Sequence, residues 1–97
     1  MISDQEFIKL FNAIAKVAKT PSNPPQPAES LEDNYPDLNI DSLDGLIMGM
    51  YLCDAFGIPE EIGKTMQVKT VGETMKFCQE NATKTEINVD NVIADLK

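Results

Sequence analysis

Four prolines lie within residues 21–27 of this 97-residue chain. Proline lacks an amide hydrogen, and its ring collides with the preceding helical turn, so a helix cannot continue through this stretch. The stretch therefore separates a first helix from the rest of the chain. We expect an irregular segment over residues 20–40, held to the core by Leu31, Tyr35 and Leu38.

A helix precedes the prolines, and a capping box marks its start. The Ser3 hydroxyl is placed to accept a backbone N–H in the first turn, while Glu6 reaches back to the N–H of Ser3. Apolar residues then recur at helical spacing and predict one buried stripe. They are Phe7, Leu10, Phe11, Ile14, Val17 and Ala18. We expect this helix to span residues 4–19.

The second helix is predicted over residues 42–56, with Asp41 as its N-cap and Gly57 just beyond its end. It is apolar on nearly every side, which occurs when a helix is wholly buried or keeps apolar surface for a partner. Complete burial is difficult in a small domain. We therefore expect a partly exposed apolar face that includes Leu46, Ile47 and Met50.

Two glycines, Gly45 and Gly49, are spaced four residues apart in this predicted helix. The same spacing permits close approach of helices in membranes. In this chain we interpret it as allowing a neighbouring helix to pack closely.

Two further helices are predicted downstream of the second one. Pro59 suits the first turn of a short helix that ends near Lys64 or Met66. A second capping box, formed by Thr70 and Glu73, opens the last main helix, which extends to about Asn81.

The fold class expected is all-α, a three-to-four-helix bundle with a long first loop, formed by residues 1–81. Residues 82–97 form a C-terminal extension. Val89, Val92, Ile93 and Leu96 fall at helical spacing, so the extension is either a short helix or a frayed tail, because isolated short helices are marginal in water.

The charge of the chain limits its partners. The formal net charge is −8, which disfavours nucleic acid and anionic lipid surfaces and favours basic protein surfaces. No apolar run approaches the ~20 residues that span a membrane. The first residues, Met1 to Asp4, lack the basic and apolar stretches of a secretion signal. We expect a monomeric cytoplasmic protein.

Catalysis by this chain is not expected. It contains no histidine, so neither a Ser-His-Asp nor a Cys-His nucleophile can be assembled from its own residues. Its two cysteines, Cys53 and Cys78, are too few and too far apart for a disulfide framework or a zinc site. We expect no catalytic residues, no metal, and two cysteines that act as small apolar side chains.

The most informative local pattern is Asp41-Ser42-Leu43-Asp44, a serine at a predicted helix start between two carboxylates. Without a base, the Ser42 hydroxyl is not a nucleophile of its own active site. It is well placed to be modified by another protein. The simpler interpretation is that Ser42 is an ordinary helix-start residue, since serine is favoured there.

Residues 38–44 resemble the attachment motif of acyl carrier proteins. The resemblance extends over about residues 3–81 and includes Phe56-Gly57, the Ile-Pro-Glu-Glu segment over residues 58–61, and Thr-Val-Gly-Glu over residues 70–73. It implies that a phosphopantetheinyl transferase attaches 4′-phosphopantetheine from coenzyme A to Ser42. The arm would then carry acyl groups as thioesters to partner enzymes of fatty-acid or related biosynthesis.

The resemblance also implies a docking surface at the start of the second helix. Its residues would be Asp41, Leu43, Asp44, Leu46, Ile47 and Met50. Ile47 and Cys53 stand where the family carries acidic residues, which favours a more apolar, dedicated partner. Asn39 stands where the family commonly has glycine, and asparagine tolerates the left-handed backbone that a turn there requires.

Two alternatives remain open from the sequence. The chain could carry aminoacyl or peptidyl groups for a modular synthetase, and its acidity only weakly favours fatty-acyl cargo. It could also be an unmodified carrier-like module that binds a partner through its second helix.

Overall fold

The computed structural model describes residues 2–84 and 86–96. Over these residues the chain is all-helical, with three long helices and two short ones. The long helices are α1 (Asp4–Ala18), α2 (Ser42–Phe56) and α4 (Val71–Asn81); the short ones are α3 (Glu60–Gly63) and α5 (Val89–Asp95). A single 3-10 turn, Pro36–Leu38, precedes α2. The all-α class and the bounds predicted for α1 and α2 are confirmed to within one residue.

Helix α3 is shorter than predicted. Pro59 lies outside it as the N-cap, and the helix ends at Gly63. The following residues, up to Lys69, run as turns and irregular chain. This matters for the site, because that irregular segment passes alongside α2.

The long helices begin where their capping residues stand. The side chains of Ser3, Asp41 and Thr70 each accept the backbone N–H of the residue three positions later. The carboxylate of that later residue accepts the backbone N–H of the capping residue. Each box satisfies two N–H groups that would otherwise lack partners. Gly57 ends α2 with a φ of 71°, a left-handed conformation that glycine adopts without steric cost.

The core lies between α1, α2 and α4. The ring of Phe7 packs at 6.4 Å from that of Phe11 and at 6.2 Å from that of Phe56. These three rings are fully buried, together with Leu10, Ile14, Met48, Leu52, Val71 and Cys78. The predicted stripe of α1 therefore forms one wall of the core.

The long first loop is fastened to the start of α4. The backbone N–H of Val71 donates to the Asp33 carbonyl at 3.0 Å, and that of Gly72 donates to the Leu31 carbonyl at 2.8 Å. The hydroxyls of Tyr35 and Thr74 are 2.6 Å apart. Leu38 is buried, while Leu31 and Tyr35 are half-buried against the core, as expected from the sequence.

Residues beyond α4 return to the bundle. The amides of Thr83 and Lys84 donate to the Phe56 carbonyl at the end of α2. Helix α5 then packs on α1, where Val89 is buried in the common core. Of the two outcomes considered for the extension, the structure has the short helix. None of the described helices is long and apolar enough to cross a membrane.

We predict that Val89→Ala lowers the free energy of unfolding by about 2 kcal/mol, since it removes two buried methyl groups and leaves a small cavity. Chemical denaturation measures this change. Asn91→Ala is the matched control, because Asn91 lies exposed on the same short helix. Equal stability of Val89→Ala and the parent would mean that α5 does not pack on α1 in solution.

Candidate functional site

Ser42 is the first residue of α2, and its side chain is exposed. The cap is supplied by Asp41, whose Oδ1 accepts the Asp44 N–H at 2.8 Å. The Asp44 carboxylate in turn accepts the Asp41 N–H at 3.3 Å. Because Asp41 caps the helix, the Ser42 hydroxyl has no part in the capping box and faces solvent.

The backbone around Ser42 favours an anion. The first amides of an α-helix have no partner within the helix, and its N-terminal end carries a partial positive charge. In α2 the amide of Asp44 is taken by Asp41, which leaves the N–H groups of Ser42 and Leu43 at the helix mouth. A phosphodiester on the Ser42 oxygen would lie beside these donors.

A buried ion pair holds this helix start in place. Lys19 is the residue that follows α1, and its Nζ donates to Asp44 Oδ2 at 2.6 Å. The two side chains are only 3% and 15% exposed. The hydrogen bond from Lys19 lowers the pKa of Asp44, against the opposing effect of burial. Sequence reasoning missed this pair, since its members are 25 positions apart.

The predicted docking residues fall into two groups. Leu43, Leu46 and Met50 are 63%, 65% and 69% exposed and share one face of α2 by their spacing. Asp41, next to Ser42, is exposed as well. Ile47 and Asp44 are less accessible. Ile47 is half-buried, and the Asp44 carboxylate is turned inward to Lys19. Of the two acidic residues in the predicted docking set, Asp41 is therefore the one whose charge is available to a partner.

A groove borders this surface along α2, and Leu46 and Met50 also line it. It is open, has a volume of about 1650 Å³, and extends from the end of the long loop past Ser42 to Cys53. One wall is α2, along which Gly45, Gly49 and Cys53 line the groove; the opposite wall is the irregular segment after α3, over residues 64–70. Tyr35 of the long loop adds to its lining.

The interpretation of the two glycines as a helix-packing contact is wrong. A Cβ at Gly45 would meet the ring of Tyr35 at 3.4 Å, and one at Gly49 would meet Met66 Sδ at 3.9 Å. Both neighbours lie in irregular segments outside the helices. The missing side chains therefore make room for Tyr35 and Met66, and the glycines do not bring two helices together.

The cysteines differ in their surroundings. Cys78 is fully buried in the core, and burial raises its pKa to about 12. Cys53 is half-buried at the groove, and burial raises its pKa as well. Within residues 2–84 and 86–96, no group of three or more acidic or cysteine side chains is placed to hold a metal ion.

Comparison with known proteins found no matching family model, no matching curated protein and no matching solved structure.

We predict that Lys19→Met lowers the free energy of unfolding by about 2 kcal/mol at pH 7, because it leaves a largely buried carboxylate without its partner. Urea denaturation measures the loss. The control is Lys9→Met, because Lys9 forms an exposed pair with Asp90, and it should leave stability nearly unchanged.

The difference between Lys19→Met and the parent should depend on pH. The pKa of Asp44 is lower in the folded protein than in the unfolded chain, so the pair stabilises the fold above the ordinary carboxyl pKa of about 4. This stabilisation is lost as the pH falls through the lowered pKa. A difference that stayed constant from pH 7 down to strongly acidic conditions would contradict the assignment.

Proposed function

We propose that this protein is a carrier that holds an acyl group as a thioester on a 4′-phosphopantetheine arm attached to Ser42. The arm would come from coenzyme A. The Ser42 oxygen would bond to the phosphorus next to the pantetheine, the bond from that phosphorus to the nucleotide would break, and the hydroxyl proton would pass to a base of the transferase.

The observation that carries the proposal is the exposed hydroxyl of Ser42 at the first position of a fifteen-residue helix. An outside enzyme can reach this oxygen without unfolding any part of the bundle. The free amides of Ser42 and Leu43 favour the phosphodiester that results. The resemblance of residues 38–44 to a carrier attachment motif gives the arm its chemical identity.

The absence of histidine from the chain agrees with this division of labour. A carrier needs a reachable hydroxyl, while the base and the phosphate-binding groups belong to the transferase. Asp44 is unsuited to act as the base, because its carboxylate is occupied by Lys19 and by the capping bond.

The exposed surface formed by Leu43, Leu46 and Met50 supports docking of the partner enzymes beside the arm. Apolar side chains of this size on a small acidic protein favour a partner with an apolar patch. Asp41, the N-cap of α2, and Asp54, within the helix, are both exposed and would add attraction to a basic rim around that patch.

We predict that the parent gains the mass of one phosphopantetheine group when incubated with coenzyme A and a phosphopantetheinyl transferase of broad specificity. Intact-mass spectrometry measures the gain. Ser42→Ala should gain nothing, because it lacks the accepting oxygen. Ser3→Ala is the matched control, since Ser3 is an exposed serine at the start of α1, and it should be modified like the parent.

A parent chain that stays unmodified, while an established carrier in the same reaction is fully loaded, would refute the proposed function. Modification of Ser42→Ala would show that another residue accepts the arm and would refute the assignment to Ser42.

The exposure of Leu46 and Met50 favours one further candidate, a module that binds its partner without being modified. Leu46→Glu combined with Met50→Glu distinguishes the two. If the chain is a carrier, this variant should accept the arm at least about tenfold more slowly than the parent, a loss of about 1.4 kcal/mol of docking free energy. Circular dichroism checks that the fold is retained.

Under the binding-module hypothesis, Ser42→Ala keeps full affinity for a partner isolated with the native protein, and the double variant loses it. That result, together with an unmodified parent chain, would replace the carrier assignment.

A further inference from the structure

The prolines of the long first loop take no part in the proposed function. Pro24, Pro25 and Pro27 lie in an irregular stretch over residues 24–29. Proline fixes its own φ at about −65° and favours an extended conformation in the residue before it. Pro24 and Gln26 both precede a proline. This stretch therefore favours the left-handed polyproline helix, which has three residues per turn.

The burial of these residues follows the same period of three. Pro25 is half-buried, and Ala28, three positions later, is buried. Pro24 and Pro27, also three positions apart, are both exposed. A polyproline helix places residues three positions apart on the same edge. One edge of the segment therefore packs on the bundle, and a second edge presents two proline rings to solvent.

Polar contacts hold the inner edge in place. The Asn12 side chain of α1 binds both backbone groups of Ala28, since its Oδ1 accepts the N–H at 2.7 Å and its Nδ2 donates to the carbonyl at 3.0 Å. The N–H of Gln26 donates to the Leu38 carbonyl at 2.9 Å. Both ends of the second half of the segment are therefore fixed to the bundle.

Asn39 anchors the first half of the segment. Its Nδ2 donates to the Pro24 carbonyl at 3.0 Å and to Asn23 Oδ1 at 2.8 Å. A polyproline segment has little conformational entropy to lose on binding, and these anchors reduce that entropy further. A partner that binds the exposed rings does not have to order the segment first, which favours affinity.

The backbone of this segment is not available for pairing with a partner's β-strand. Prolines have no N–H, and the N–H groups of Gln26 and Ala28 are already bonded within the chain. A partner that adds a strand uses such donors. Recognition therefore depends on the rings of Pro24 and Pro27. Grooves lined by aromatic side chains bind pairs of prolines with this spacing.

The surroundings of the two rings are acidic. Glu29 follows the segment and Asp37 lies in the 3-10 turn to which the segment is bonded, and both are exposed. Lys19, the basic residue nearest to the segment in the chain, is buried in its pair with Asp44. The whole chain carries a formal charge of −8. A groove that is complementary to this surface has basic residues at its rim.

We propose that residues 24–27 are a docking site for a partner domain whose groove is lined by aromatic side chains and rimmed by basic ones. SH3 domains have this kind of aromatic groove. The rings of Pro24 and Pro27 enter the groove, and its basic rim meets Glu29 and Asp37. The site uses none of the residues assigned to the arm or to the exposed apolar face of α2, so binding does not require a modified Ser42.

The test is an NMR titration of the isotopically labelled full chain with a panel of purified SH3 domains. One half of the panel has basic residues around the aromatic groove, and the other half has acidic ones. Members of the basic half should shift the amide signals of Asn23, Gln26 and Ala28, with dissociation constants below about 1 mM. The acidic half should bind at least about tenfold more weakly, and added salt should reduce that difference.

Two proline variants test the assigned rings. Pro24→Ala combined with Pro27→Ala should weaken binding at least about tenfold, because it removes both exposed rings and no buried side chain. Pro21→Ala is the matched control. Pro21 is also exposed, but it lies in the turn that the hydrogen bond from Asn23 to Thr20 closes before the segment, and this variant should bind like the parent.

Asn39→Gly tests the anchoring of the segment. Glycine keeps the φ of 60° at this position at no steric cost but lacks the amide that binds Asn23 and Pro24. The affinity should fall about threefold, since the partner then has to order the first half of the segment itself. An unchanged affinity would overturn the role of Asn39 as an anchor.

Three results would overturn the docking site. They are the absence of any shift with the basic half of the panel up to about 1 mM, shifts that centre on α2 instead of residues 20–28, and unchanged binding by the double proline variant. Equal binding by the acidic half would overturn the basic rim. All measurements use the unmodified chain, so their outcome is separate from that of the loading experiment on Ser42.

Discussion

The ion pair between Lys19 and Asp44 fixes where α2 begins relative to α1. A lysine buried at the end of one helix requires a partner charge, and the Asp44 carboxylate in the first turn of the next helix supplies it. The same carboxylate closes the capping box with Asp41. One side chain thus joins two helices and defines a helix start, which leaves the neighbouring Ser42 hydroxyl free of structural contacts in the cap.

The long loop between these helices is ordered by polar contacts at its two ends. Asn39 takes the left-handed conformation, with a φ of 60°, which confirms the expectation that asparagine maintains the turn. The side-chain amide of Asn39 also donates to Asn23 Oδ1 and to the Pro24 carbonyl. The proline stretch is therefore anchored next to the start of α2, a contact that glycine at this position could not make.

Helix α2 presents different chemistry on each side, which explains its nearly uniform apolar character. Met48 and Leu52 are buried in the core, Leu46 and Met50 face solvent, and the glycines line the groove. An amphipathic helix needs a single apolar side. A helix that packs, docks and borders a groove keeps apolar or small residues almost all round, as this one does.

The sequence by itself determined where the helices are and that Ser42 opens the second of them. Capping residues, helical periodicity and proline act over a few neighbouring positions, so their effects can be read from local order. The sequence leaves the tail after Asn88 open between a short helix and a frayed end, and the packing of Val89 into the core decides for the helix. Only the tertiary structure decided what Ser42 and Cys53 face. The Lys19 partner, the groove wall over residues 64–70 and the inward turn of Asp44 all depend on which distant segments pack together, and spacing along the chain carries no record of that choice.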